Sequence, residues 1–269
     1  MELQESLGYV AAIAMGFVLG LIGGGGSILT VPILFYLFKI EDLTIATSYS
    51  LLIVGSSALI GSFRYMFKGL VDFRTALLFG SPSIIAVFFT RKWIMPALPD
   101  EFFTMGNLII TKNIFLLLFF ALLMIAVAYT MIRKNKPVTS KVHKIGVDNA
   151  YILLFIEGIL VGMVTGLVGA GGGFLIVPAL ILFAGLDMKL AVGTSLVIIA
   201  AKSLIGFTGD LSTDIHPDWT FLLIFSSFAI LGIWIGVFAS RFVSAEKLKP
   251  AFGWFILIMG FYMIIDELI

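Results

Sequence analysis

The chain has 269 residues, of which 60% are hydrophobic, 14% aromatic and only 12% charged, with no cysteine and a formal net charge of +1. That much apolar surface is more than a water-soluble domain can bury, and several charge-free runs of about twenty residues match a hydrocarbon core of ~30 Å. The composition therefore specifies an all-α integral membrane protein. It excludes disulfides, thiolate metal sites and a cysteine nucleophile, and it leaves no global field to attract nucleic acid.

The opening residues 1–6 hold two acids and no base, unlike the cationic start of a signal peptide, so the first apolar segment reads as mature structure. In chain order the elements are a broken segment over 7–38, spans 42–63, 73–95 and 107–132, a second broken segment over 149–185, and spans 188–209, 218–240 and 247–267. The second series repeats the first. At a shift of 146, GLIG from Gly20 meets GLVG from Gly166, and Val31-Pro32 meets Val177-Pro178. One inserted residue later, Thr47-Ser48 faces Thr194-Ser195, and Asp72 again faces Asp218 at the original shift. The chain thus divides into a first transmembrane repeat, 1–132, a basic linker, 133–148, and a second transmembrane repeat, 149–269.

The linker carries Arg133, Lys134, Lys136, Lys141 and Lys144, which places it in the cytoplasm by the positive-inside rule. Three full crossings per half then put Arg64, Lys68 and Arg74 inside, together with Arg241, Lys247 and Lys249. Lys39, Arg91, Lys92 and Lys112 fall outside, with the Arg91-Lys92 pair as the main exception to the rule. Both termini become external and the two repeats have inverted topology.

Each broken segment turns on glycine, GLIGGGGSILTVP in the first repeat and GLVGAGGGFLIVP in the second. The arms 7–22 and 27–38 are each too short to cross ~30 Å at 1.5 Å per residue, so each repeat begins with a glycine-broken hairpin that enters and returns. A helix restarting at Ser27, or at Phe174 in the repeat, aims its free N–H groups and positive dipole end inward, which suits an anion. Two such tips near the midplane are a sequence pointer to a transporter's binding site. This assigns Gly23, Gly24, Gly25, Gly26 and Ser27, with Gly169, Gly171, Gly172, Gly173 and Phe174, to substrate binding. Close packing is the competing reading, and it fits the small-xxx-small pairs Gly16/Gly20, Gly162/Gly166 and Gly232/Gly236 better.

Thr47, Ser48, Thr194 and Ser195 offer hydroxyls to an oxyanion without adding charge. Lys202, deep in its span, is a candidate counter-charge; the alternatives are snorkelling outward or pairing with Asp210. Glu157 lies mid-helix, where proton coupling and a purely structural acid are both open. His143 and His216 imply no metal site, no cofactor is called for, and no HExxH motif or Ser-His-Asp arrangement suggests an enzyme.

The duplicated GLxGxGGGxLxVP unit, followed each time by a Thr-Ser-bearing span, resembles the sulfite exporter TauE/SafE family of membrane proteins. The resemblance implies a secondary transporter of the bacterial inner membrane that moves sulfite, sulfoacetate or related organosulfonates, often outward. An anion channel, or a carrier of another carboxylate or oxyanion, is the alternative. The expected partners are a small anionic substrate and the lipid bilayer, with homo-oligomerisation open. On this reading Ser27→Ala and Gly172→Val lower transport with the fold intact.

Overall fold

The computed structural model describes residues 2–99, 101–105, 108–132, 147–212, 215–240, 242 and 245–268. The linker bases, His143 and Arg241 lie outside the described residues. In the first repeat the helices are α1 (Glu2–Ile22), α2 (Gly25–Leu37), α3 (Leu43–Phe67), α4 (Phe73–Ala97) and α5 (Lys112–Ile132). In the second they are α6 (Val147–Val168), α7 (Gly173–Leu182), α8 (Met188–Leu211), α9 (Trp219–Ala239) and α10 (Ala245–Leu268). Among the described residues six helices are long and apolar enough to cross a membrane: α1, α3, α4, α5, α8 and α9; the apolar part of α10 is shorter, Gly253–Asp266.

Two features depart from the expected elements. Residues 108–111 are not the start of a helix but a strand, β2 (Leu108–Thr111), paired antiparallel with β1 (Glu101–Met105). Aromatic and β-branched residues, Phe102, Phe103, Ile109 and Ile110, favour that extended pairing. The first arm is also longer than 16 residues: α1 begins at Glu2 and runs for 21, enough by length to cross. It nevertheless forms a hairpin with α2, because Gly8 lies directly against the Phe38 ring at the far end of the returning arm. Tyr9 and Phe38 meet edge to face at 5.3 Å.

α2 is irregular. It opens as a tight 3-10 turn over Gly25–Leu29, passes through one α turn, Thr30–Pro32, and widens to a π turn, Ile33–Leu37. Pro32, which has no N–H to donate, interrupts the regular ladder at the middle of the arm.

The repeats pack crosswise. α1 lies along α9, and α6 lies along α4, while α3 and α8 pair at the centre and α5 pairs with α10. The small-xxx-small pairs explain the first two contacts. Cβ atoms on Gly16 and Gly20 would strike the backbone at Ala229 and Ile233, and on Gly232 and Gly236 the carbonyls of Ile13 and Phe17. Gly158 and Gly162 meet the Phe79 and Ser83 carbonyls in the same way. Without hydrophobic exclusion between helices in lipid, such close backbone approach is what gives them van der Waals attraction.

The helix starts at positions 72 and 218, which match at the shift of 146, are built alike. Asp72 caps α4 by accepting from Thr75 N at 3.0 Å, and Asp218 caps α9 by accepting from Phe221 N at 3.0 Å. The Asp72 amide donates to Thr194 Oγ1 at 2.9 Å and the Asp218 amide to Tyr49 Oη at 2.8 Å, so each cap is tied to the central helix of the other repeat.

Candidate functional site

The two glycine tips meet, but they meet each other. The backbone of Gly24 lies against that of Gly173, so closely that a Cβ on either would overlap the other. Gly23 is against Val192, Gly26 against Met15 and Leu19 of its own hairpin, Gly169 against Thr47, and Gly171 against Val54. The cavity bordering the contact, lined by Gly25, Gly173, Phe174, Val177 and neighbouring apolar side chains, holds about 30 Å³. That is room for about one water, not an oxyanion of several heavy atoms. In this conformation the tips therefore do not open onto a shared guest, and their glycines serve close packing.

The hydroxyls show why the bends hold. α2 restarts at Gly25 rather than Ser27, and Ser27, fully buried, donates its Oγ to the Gly24 carbonyl at 2.7 Å. Ser195 donates to the Gly23 carbonyl and lies 2.8 Å from the Val192 carbonyl. Tyr65 Oη donates to the Gly20 carbonyl at 3.2 Å. These side chains satisfy carbonyls released where the first helix breaks, and carbonyls unpaired at membrane depth are costly. Ser195→Ala strips the Gly23 carbonyl of its donor in a fully buried setting and is expected to cost about 1–3 kcal/mol, read as a lower melting temperature in detergent. An unchanged melting temperature would show that this bond contributes nothing to the bend.

Gly172 needs its missing side chain for a second reason, since φ is +66° and a Cβ would overlap Thr165 and stand 2.7 Å from Lys202 Nζ. Gly172→Val therefore disturbs the fold as well as the site, contrary to expectation from sequence.

Polar groups concentrate around the second tip. Lys202 is 1% exposed and donates from Nζ to Thr165 Oγ1 at 2.9 Å. It neither snorkels nor pairs with Asp210. Ser203, fully buried, has an unpartnered Oγ close to the position a Gly171 Cβ would take, 3.4 Å away. Thr47, which backs Gly169, donates to the Thr44 carbonyl at 3.0 Å and accepts from Arg91 Nη1 at 3.0 Å. Ser48 neighbours the Asp210 carboxylate. Thr194 instead accepts the Asp72 amide and stays away from this cluster. Glu157 is half-buried with an unpartnered Oε2, eight residues and thus about 12 Å along α6 from Thr165, so the fold does not bring it to the tip.

Arg91 is the residue that sequence reasoning misplaced. Counted from sequence among the external charges at the end of its span, it is completely buried, in a π turn (Thr90–Ile94) near the end of α4, with Nη1 3.4 Å from Asp210 Oδ2. The signal was present: a cation breaking the inside-positive distribution, and an acid at the facing end of the span that follows the second hairpin. Neither buried cation is duplicated. By the repeat register Val237 occupies the place of Arg91, and Gly55 or Ser56 that of Lys202.

The sulfite exporter TauE/SafE family model matches residues 9–263, nearly the entire chain. The chain belongs to the sulfite exporter TauE/SafE family. A probable membrane transporter protein of Xylella fastidiosa (strain Temecula1) is 31% identical over 252 residues, covering 93% of this chain and 91% of the relative. The probable membrane transporter proteins YunE and YdhB of Bacillus subtilis (strain 168) are 27% and 23% identical. YunE aligns over 86% of both chains, and YdhB over 88% of this chain and 91% of its own. No solved structure gives a significant match. This TauE/SafE member is a multi-pass membrane protein and a membrane transporter.

Proposed function

We propose that the protein carries a small oxyanion of the sulfite or organosulfonate type outward across the bacterial inner membrane by alternating access between two inverted repeats. The observation that carries this reading is Lys202: an ammonium buried at the second glycine tip whose hydrogen-bond partner is a neutral hydroxyl. Among the described residues no carboxylate lies within ion-pair distance of it. A buried cation without a counter-charge is expensive in a membrane interior, and a mobile anion is the group that would complete it. The family supports the transport class, and its description supports a sulfur oxyanion.

The conformation described is the closed one of the proposed cycle. The guest is held when the Gly24–Gly173 contact parts, with Lys202 supplying charge, and Thr165 and Ser203 supplying hydroxyls. Phe174, beside the tip, limits the size of what fits.

A thermal-shift panel of sulfite, sulfoacetate, sulfate and acetate on the purified protein tests the reading. Binding to the folded state alone adds about 2.7 kcal/mol at one hundred times Kd, so a sulfur oxyanion that is the substrate raises the melting temperature and acetate does not. Counterflow of the same anion in proteoliposomes then separates a carrier from a channel. If none of the sulfur oxyanions shifts the melt, the substrate class is wrong.

A further inference from the structure

Arg91 is held on one side only. Nη1 donates to Thr47 and faces Asp210, whereas Nε and Nη2 have no hydrogen-bond partner although the whole side chain is buried. Nε–H and the adjacent Nη2–H form the side-on edge of a guanidinium, two parallel donors whose spacing matches two oxygens of a carboxylate, sulfonate or phosphate. Two charged donors buried without a protein partner are rare in folded proteins and call for an occupant.

Position adds to this. The π turn, a geometry that recurs at functional sites, sets Arg91 beside Gly209, whose absent side chain leaves the guanidinium stem its space. Through Thr47 the group abuts Gly169, the start of the second tip. Three residues before Gly169, in the last turn of α6, Gly166 packs on Thr90, and Thr165 beside it holds Lys202. The two buried cations thus flank the same glycine bend from different helices.

We propose that the Nε/Nη2 edge of Arg91 is a second docking point for the oxyanion group of the transported anion, and that Asp210, by holding and partly neutralising the guanidinium, sets how tightly that group binds. The inference rests on the anion-carrier reading and extends it to a residue outside the glycine motifs. It gives Asp210 a defined role: an internal competitor that keeps Arg91 in position when no guest is present and weakens the grip enough for release.

The test is the affinity of sulfite and sulfoacetate for variants that elute as monodisperse protein in detergent. Arg91→Lys keeps the charge but loses the fork, and is expected to weaken binding at least tenfold. Asp210→Asn removes the competing charge while keeping a polar side chain, and is expected to tighten binding several-fold. A structural ion pair predicts no such opposition of sign. If Arg91→Lys does not fold, the charge-neutral double variant Arg91→Gln/Asp210→Asn takes its place, with the same loss expected. Binding within twofold of wild type in the Arg91 variant, or weakened binding in Asp210→Asn, overturns the proposal. If wild type itself binds neither anion, the carrier reading fails first. If wild type binds and Lys202→Met does not, while the Arg91 and Asp210 variants are unaffected, only the present inference falls.

Discussion

Gly24→Ala and Gly173→Ala are each expected to lower stability by about 3 kcal/mol or more, and to leave a large fraction of the protein aggregated on extraction. A new methyl at either position overlaps backbone of the other tip, and at Gly173 it also meets the Ile199 side chain. Overpacking usually costs about 1–3 kcal/mol when neighbouring side chains can shift, and here the main obstacle is main chain held by hydrogen bonds on both sides. Gly69→Ala is the control. It has a positive φ of +66° but nothing within 4 Å of the added Cβ, so it carries only the backbone penalty of about 1–2 kcal/mol. Melting curves and gel-filtration profiles of the three variants measure the difference. Wild-type behaviour of Gly173→Ala would mean that the tips stand apart in the state the protein mainly occupies.

Lys202→Met is expected to separate function from stability. Anion affinity falls ~30-fold or more, the equivalent of about 2 kcal/mol, as for a charged partner removed from a desolvated contact. The melting temperature without ligand stays level or rises, because methionine fills similar space and removes the cost of burying an ammonium. The loss on the other side of the ledger is one hydrogen bond to Thr165, whose hydroxyl still donates to the Gly162 carbonyl at 3.2 Å. Titration of sulfite against both proteins gives the affinities, and a melt without anion gives the stabilities. Equal affinities would remove Lys202 from the site.

The helices were legible in the sequence because lipid imposes a length and an apolar composition that few other structures share. The duplicated motif likewise marked where two helices break, after Ile22 and after Val168. What was not legible was the use made of the bare backbone. Free N–H groups aimed at a guest and backbone packed on backbone both call for glycine, and only the juxtaposition of Gly24 and Gly173 shows the second in this conformation. Ser27 and Ser195 are expected from sequence to offer hydroxyls to an oxyanion, whereas their acceptors in this conformation are carbonyls of the bend itself. Arg91 was hidden by a counting rule. Charge near a span end is ordinarily solvated, so its exception to the inside-positive distribution carried little weight beside the convergence of Thr47 and Asp210 on it from α3 and α8, which only the fold displays. The strand pair over 101–111 was masked by continuity, because its apolar residues run directly into α5.

The crosswise arrangement has a consequence for how the molecule can move. Since α1 is seated on α9 and α6 on α4 through carbonyls that fit into glycine notches, those pairs resist shear, and each joins a helix of one copy to a helix of the other. On the carrier cycle proposed above, the bodies that rock are hybrids, and the joint between them follows neither copy's outline. A single copy standing alone would present notched faces with nothing seated in them, so it would have to borrow the matching ridges from a twin molecule before it could enclose anything at all.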